Sequence, residues 1–344
     1  MTLASASTAV PTKKKKRRDF SGLARFAPLI FLLLLILVFG IANERFLSPR
    51  NLFNIFTEVS VYGLMAVGMT YVVLTGGIDL SVGAILALAG MAAAVVINGG
   101  ASNSFDLNAA GSHGYGWQAG LLAALAVGIC CGMIQGFAIT KLRVPPFVVT
   151  LGGMSIFRGA TLLLGGGGPI GVSDPGLRWW GTGRLFLNTV PVPVLIFVAV
   201  AALGFLVLRY TRFGRRIYFI GGNAEAARLA GIDVKRVLFS VYMVSGVLAG
   251  LAGYIMTARL GSAEAVAGTS FELRVIASVI IGGTSLFGGI GSIGGTIVGS
   301  ILIGVLLNGL VMLNVNAYWQ EIIVGSIIIL AVAFNILTNR RRPV

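Results

Sequence analysis

Asp79 and Ser81 are the first residues in this chain with chemistry to offer, because they sit in GGIDLSVG, a polar interruption between two apolar runs. A carboxylate and a hydroxyl two residues apart can cap the amides that open the next helix, where the positive end of the dipole favours an anion. They can equally present hydrogen-bonding groups to a polar solute, or close a gate across its path. Gly76 and Gly77, just before them, cost helix stability. A backbone break near a membrane survives only where water or protein satisfies its polar groups. Two readings stay open for Gly76, Gly77, Asp79 and Ser81: a capped turn at the membrane rim, and a piece of a path or gate. Arg158 lies inside the apolar run from Phe147 to Leu164. An arginine there is expensive and faces a cavity, a partner or the boundary, so it reads as a structural ion pair or as a member of the same path.

Nothing else assembles into catalysis. The one histidine, His113, falls in a loop rich in Gly, Ser and Asn, where it is simply solvated. Cys130 and Cys131 are adjacent in an apolar run, which suits packing and neither a disulfide framework nor a metal site. Inside the apolar runs no two carboxylates stand at helical spacing, and Glu321, near the start of the last run, reads as interfacial. The Gly-rich stretch GGTSLFGGIGSIGGTIVG lacks the Lys-Ser/Thr ending of a P-loop, so close helix packing at small residues accounts for it better. Any energy source must therefore lie on another chain, and the protein reads as a non-enzyme.

The elements that position these residues are membrane helices. Hydrophobic residues make up 56% of the chain and charged ones 11%, about half the usual charged share. The formal charge of +15 is concentrated in part at the termini, in Lys13 to Arg18 and Arg340 to Arg342. Basic clusters beside apolar spans mark the cytoplasmic side and touch anionic lipid, which argues against a nucleic-acid partner. Residues 1–26 read as a disordered basic cytoplasmic segment, 27–337 as the membrane domain and 338–344 as a basic cytoplasmic tail. The basic start followed by an apolar run also fits a signal peptide ending at Gly40-Ile41-Ala42, but cleavage there would leave an odd number of spans. The expected fold is an all-α polytopic bundle of about ten transmembrane helices. It includes a Gly- and Pro-rich loop from Gly165 to Val190 with Trp179-Trp180 at the headgroup boundary, and two crossings between Leu273 and Leu313 that turn at the Gly-rich stretch. With ten crossings both termini, Lys141, Arg143, the GGIDLS break and residues 209–236 share one side, which an odd count cannot achieve.

The polar stretch from Arg209 to Arg236 holds a short helix with both ends marked. Asn223 can cap its first amides, Ala224 to Ala230 favour helix, and Gly231 can take the left-handed conformation after the last turn. Glu225 and Arg228, three apart, can pair on the wet face. About seven residues make roughly 10 Å of helix, too short to stand alone in water. Ala226, Ala227, Leu229 and Ala230 form its other face, which can pack on the protein's own bundle or in a groove of another protein. A rigid peg between two spans transmits a movement that a flexible loop would absorb. Ala227 and Gly231 are the first candidates for that task.

Three stretches carry a resemblance. GGIDLSVGAILALAG at 76–90, GGNAEAARLAGID at 221–233 and ELRVIASVIIGGTSLFGGIGS at 272–292, in this order, resemble the membrane-spanning permease subunit of ribose-type ABC sugar importers, over roughly residues 45–337. The resemblance implies ten helices per subunit, working as a homodimer or as a paired heterodimer of permeases in a bacterial inner membrane. It implies a periplasmic or lipid-anchored sugar-binding protein outside and cytoplasmic ATPase subunits that bind the ATP, with no cofactor on this chain. Glu225-Ala226-Ala227 and Gly231 match the EAA-x3-G core of the importer coupling loop, which makes residues 209–236 the ATPase-coupling segment. In the path reading of the GGIDLSVG break, Asp79 and Ser81 offer hydrogen bonds to sugar hydroxyls or form a gate. The sequence departs from the family pattern where Arg274 stands for an acidic residue and Asn335 for an Asp. An ion-coupled secondary transporter is the other reading, but it calls for several intramembrane acidic or polar residues near the midplane, and Asp79, the only candidate, falls near an edge in this topology.

Overall fold

A computed structural model describes residues 21–99 and 114–339, with side chains for 26–99 and 114–333. The basic runs 13–18 and 340–342, His113 and the side chain of Asn335 lie outside the described residues. The chain folds into helices α1 (Ser21–Ala42), α2 (Pro49–Leu74), α3 (Val82–Ile97), α4 (Gly116–Thr140) and α5 (Pro146–Leu164). After these come α6 (Pro175–Thr182), α7 (Val192–Tyr210), α8 (Arg212–Gly222), α9 (Ala224–Leu229) and α10 (Val234–Leu260). The chain closes with α11 (Phe271–Ile281), α12 (Ile293–Met312) and α13 (Ala317–Asn339). Strands β1 (Ile170–Gly171) and β4 (Ser262–Ala263) pair antiparallel, as do β2 (Arg184–Leu185) and β3 (Val190–Pro191).

Among the described residues, six helices are long and apolar enough to cross a membrane: α2, α4, α5, α7, α10 and α12. The apolar parts of α1, α3 and α13 are shorter. Helix α11 differs from the expectation of two full crossings between Leu273 and Leu313. At 11 residues it is roughly 16 Å long, half the hydrocarbon thickness. Three further differences have visible causes. Helix α6 interrupts the expected long loop, where Asp174 caps Leu177 N at 2.9 Å and Pro175 occupies the first helical position. Helix α8 lies within the polar stretch because Gly214, Ile217 and Ile220 bury one face of it. Helix α10 starts at Val234 rather than near Leu238, capped by Asp233, whose Oδ1 accepts from Arg236 N at 3.0 Å.

The centre of the bundle is α2, buried all round from Val59 to Leu74, with α10 beside it. Helices α4 and α10 approach so closely that a Cβ on Gly132 would stand 2.6 Å from Tyr242 O, and one on Gly250 2.6 Å from Ala124 O. Small residues allow this where lipid supplies no hydrophobic drive to associate. Cys131 is buried against this packing and Cys130 is exposed. Trp180 sits between Trp117 and Tyr254, with ring centroids 5.8 and 6.0 Å away, while Trp179 faces outward. Glu321 pairs with Arg274 at 3.4 Å and so ties α13 to α11.

Candidate functional site

The break between α2 and α3 turns at an exposed Gly76 and buries Gly77, Asp79 and Ser81 inside the bundle. Gly76, at φ +79, turns the chain out of α2, and its neighbour Gly77 is buried. Asp79 is fully buried. Its Oδ1 accepts from Ser81 N at 3.0 Å and from Ser81 Oγ at 2.7 Å, and its Oδ2 accepts from Ser245 Oγ at 2.9 Å. Ser81 opens α3 without a side-chain cap, because its hydroxyl is spent on Asp79. Gln135 of α4 donates to Ser81 Oγ, and Thr150 of α5 donates to Ile78 O at 3.2 Å. The carboxylate thus gathers α3, α4 and α10 around the end of α2, satisfying backbone that lipid could not. Two groups in this cluster remain unpaired among the described residues, Gln135 Oε1 and Tyr242 OH. A Cβ on Gly77 would stand 2.5 Å from that hydroxyl.

Of the two arrangements expected of Arg158 from sequence, the ion pair does not form among the described residues. Its guanidinium donates to Ala265 O and Ala267 O, both at 2.8 Å. These carbonyls belong to the irregular segment between β4 and α11, which runs back along α3 until Gly268 packs on Gly83, in the first turn of α3. Non-helical backbone buried away from water needs internal partners, and Arg158 supplies two charge-assisted bonds. The arginine therefore clamps a loop that reaches down to the Asp79 break.

Helix α9 has the capped ends its sequence announces. Asn223 Oδ1 accepts from Glu225 N at 3.0 Å and from Ala226 N at 2.9 Å. Gly231 takes φ +80, and Ile232 N returns to Ala227 O at 3.0 Å while Gly231 N returns to Arg228 O at 3.0 Å, a Schellman ending. Glu225 and Arg228 pair at 2.5 Å on the exposed side. One assignment needs correction. Ala227 is buried, turned toward α8 and α10, so it seats the helix and cannot reach another protein. The apolar part of its exposed surface includes Ala226, Ala230 and above all Leu229, which is 80% exposed.

The base of this helix is joined to the break mainly through backbone. Gly221 and Gly222 end α8, Gly288 and Gly289 form the turn between α11 and α12, and Leu74 to Gly76 end α2. Gly289 N donates to Leu74 O at 2.9 Å. A Cβ on Gly288 would meet Gly221 O at 2.8 Å and Gly76 N at 3.0 Å, and one on Gly221 would overlap Leu74 O. Tyr218 of α8 adds a bond from its hydroxyl to Gly291 O at 2.8 Å. The Gly-rich stretch expected to serve helix packing thus serves a three-way contact as well. Sequence reasoning singled out neither this contact nor Gln135, Ser245 and Tyr242. A glutamine inside the apolar run of α4 was the one available signal.

Comparison with known proteins follows the same outline. The model of the family described as the permease component of the branched-chain amino acid transport system matches residues 51–332. The chain is 41% identical over 320 residues to the ribose import permease protein RbsC of Bacillus subtilis (strain 168), covering 93% of this chain and 95% of that protein. It is 43% identical over 308 residues to the ribose import permease protein RbsC of Escherichia coli (strain K12), covering 88% and 91%. To the D-allose transport system permease protein AlsC of the same strain it is 38% identical over 318 residues, covering 92% and 93%. No solved structure matches the chain.

Proposed function

The chain belongs to the permease-component family of ABC importers, and from that premise we propose that it passes a monosaccharide through the bacterial inner membrane. It is a transport permease and not an enzyme, and the relatives named for ribose and D-allose support a pentose or hexose as its solute. A sugar-binding protein delivers the solute from outside, and ATP is bound and hydrolysed on separate cytoplasmic subunits. A second permease, identical or paired, completes the pathway. The bundle crosses the membrane ten times, with α11 and the segment that Arg158 clamps making one crossing together, and both termini are cytoplasmic.

The observation that carries the mechanism is the seat of α9. It is a capped helix with Leu229 outward, and its base contacts the α11–α12 turn and the end of α2 through backbone. A push on Leu229 from an ATPase subunit reaches the Gly76–Ser81 break with little side-chain slack to absorb it. Asp79, Ser81, Gly76 and Gly77 act as the gate that receives the push, and Arg158 holds the opposite arm in place.

The test is Leu229→Arg in cells supplying the natural partner subunits. The variant is expected to insert and purify with wild-type thermal stability, while ATP-driven sugar uptake falls more than tenfold. Normal uptake would overturn the coupling assignment. Uptake abolished by a protonophore while ATP is maintained would point instead to ion coupling.

A further inference from the structure

Helix α8 presents an arginine face that the coupling role does not use. Arg212, Arg215, Arg216 and Phe219 stand at i, i+3, i+4 and i+7 on its exposed side, opposite the buried Gly214, Ile217 and Ile220. Arg209 and the exposed Tyr210, at the end of α7, extend the same surface. No acidic residue lies between 209 and 224. The ion pairs among the described residues are Arg228–Glu225, Arg236–Asp233 and Arg274–Glu321, and none of these four arginines is in one of them.

The position of the face selects what can meet it. One residue, Thr211, separates α7 from α8. Its hydroxyl donates to Val207 O at 2.7 Å and accepts from Gly214 N at 3.1 Å, so it ends one helix and starts the other at a fixed corner. Leu203, Leu206 and Tyr210 share an exposed side of α7, an apolar stripe that runs straight into Arg212. An acidic protein surface would match the arginines alone, whereas a lipid meets the arginines and the stripe with one molecule, one residue past a helix long and apolar enough to cross a membrane. Acyl chains lie along the leucines, the exposed aromatics sit at the interface, and guanidiniums fork onto phosphate oxygens.

We propose that the exposed face of α8, formed by Arg212, Arg215 and Arg216 with Arg209, binds the phosphate headgroups of anionic phospholipids and anchors the coupling segment to the membrane surface. Each basic residue near an anionic surface contributes about fivefold in apparent affinity at low salt, so three together have a measurable effect.

The purified full chain in phosphatidylcholine micelles is titrated with phosphatidylglycerol while its thermal midpoint is followed, and R212Q/R215Q/R216Q is compared with R212K/R215K/R216K. Phosphatidylglycerol is expected to raise the midpoint of the wild type and of the lysine variant, with added salt weakening the effect. The glutamine variant is expected to lose more than half the rise, the remainder coming from basic residues elsewhere in the chain. If the triple glutamine variant fails to fold in phosphatidylcholine, the three single glutamine variants are each expected to lose part of the rise. An undiminished rise in the glutamine variants overturns the proposal. So does a glutamine variant that keeps the rise but no longer co-purifies with its ATPase subunit, because the face is then a protein-docking surface. Lipid binding is read on the isolated chain, so failure here leaves the coupling assignment standing, and failure of Leu229→Arg leaves this proposal standing.

Discussion

Asp79 takes three hydrogen bonds with its two carboxylate oxygens, from Ser81 twice and from Ser245 once. Replacing it with alanine strands all three donors in a buried space, at about 1–3 kcal/mol for each one left unpaired. Asp79→Ala is therefore expected to lower the thermal midpoint by several degrees and to abolish uptake, whereas Asp79→Asn keeps one acceptor and is expected to fall between alanine and wild type on both measures. Wild-type stability in the alanine variant would mean that the junction is not held by this side chain. The carboxylate was conspicuous in sequence because an acid between apolar runs is rare, but its partners were not. Ser245 stands 11 residues after Val234, deep in a helix whose sequence says nothing about which face meets α3. Arg158 shows the same limit. Its cost in an apolar run was readable, yet its partners are carbonyls of a loop more than a hundred residues away, and backbone acceptors leave no trace in residue type.

At the scale of an element, α9 was legible in detail and α8 was missed. Capping is a local property, so Asn223 and Gly231 declare the ends of α9 without help from the rest of the fold. The face a short helix buries is decided by what it packs on, and that put Ala227 inside and Leu229 outside. Gly231 offers a clean measurement because a Cβ there would touch nothing within 4 Å, so any effect comes from its φ of +80. Gly231→Val forces a β-branched residue into the left-handed region, at a cost of about 1–2 kcal/mol. The prediction is unchanged stability of the bundle, several-fold slower uptake, and near-normal uptake for Gly231→Asn, which tolerates the conformation. Equal uptake by the valine and asparagine variants would show that the Schellman ending does not matter to coupling.

For the whole molecule, hydropathy made the all-helical membrane bundle legible, because it is a sum over many residues, and six helices among the described residues are long and apolar enough to cross a membrane. It said less about α11, because an 11-residue helix inside a long apolar run has no hydropathy signature of its own. Sidedness is checked by single cysteines in a background lacking Cys130 and Cys131. Leu187→Cys, on the fully exposed tip between β2 and β3, should react with an impermeant maleimide in intact spheroplasts, and Leu229→Cys only after permeabilisation. Labelling of both in intact spheroplasts would reject the proposed arrangement. The three-way contact of Gly221, Gly288 and the end of α2 has a different kind of consequence, for how such a protein can vary. Where side chains meet, one change can be compensated by another across the contact. Where main chains meet, no exchange of residues restores the fit. That spot should be immovable under selection while the surfaces on either side of it, toward the motor and toward the solute, remain free to diversify and be recombined as separate parts.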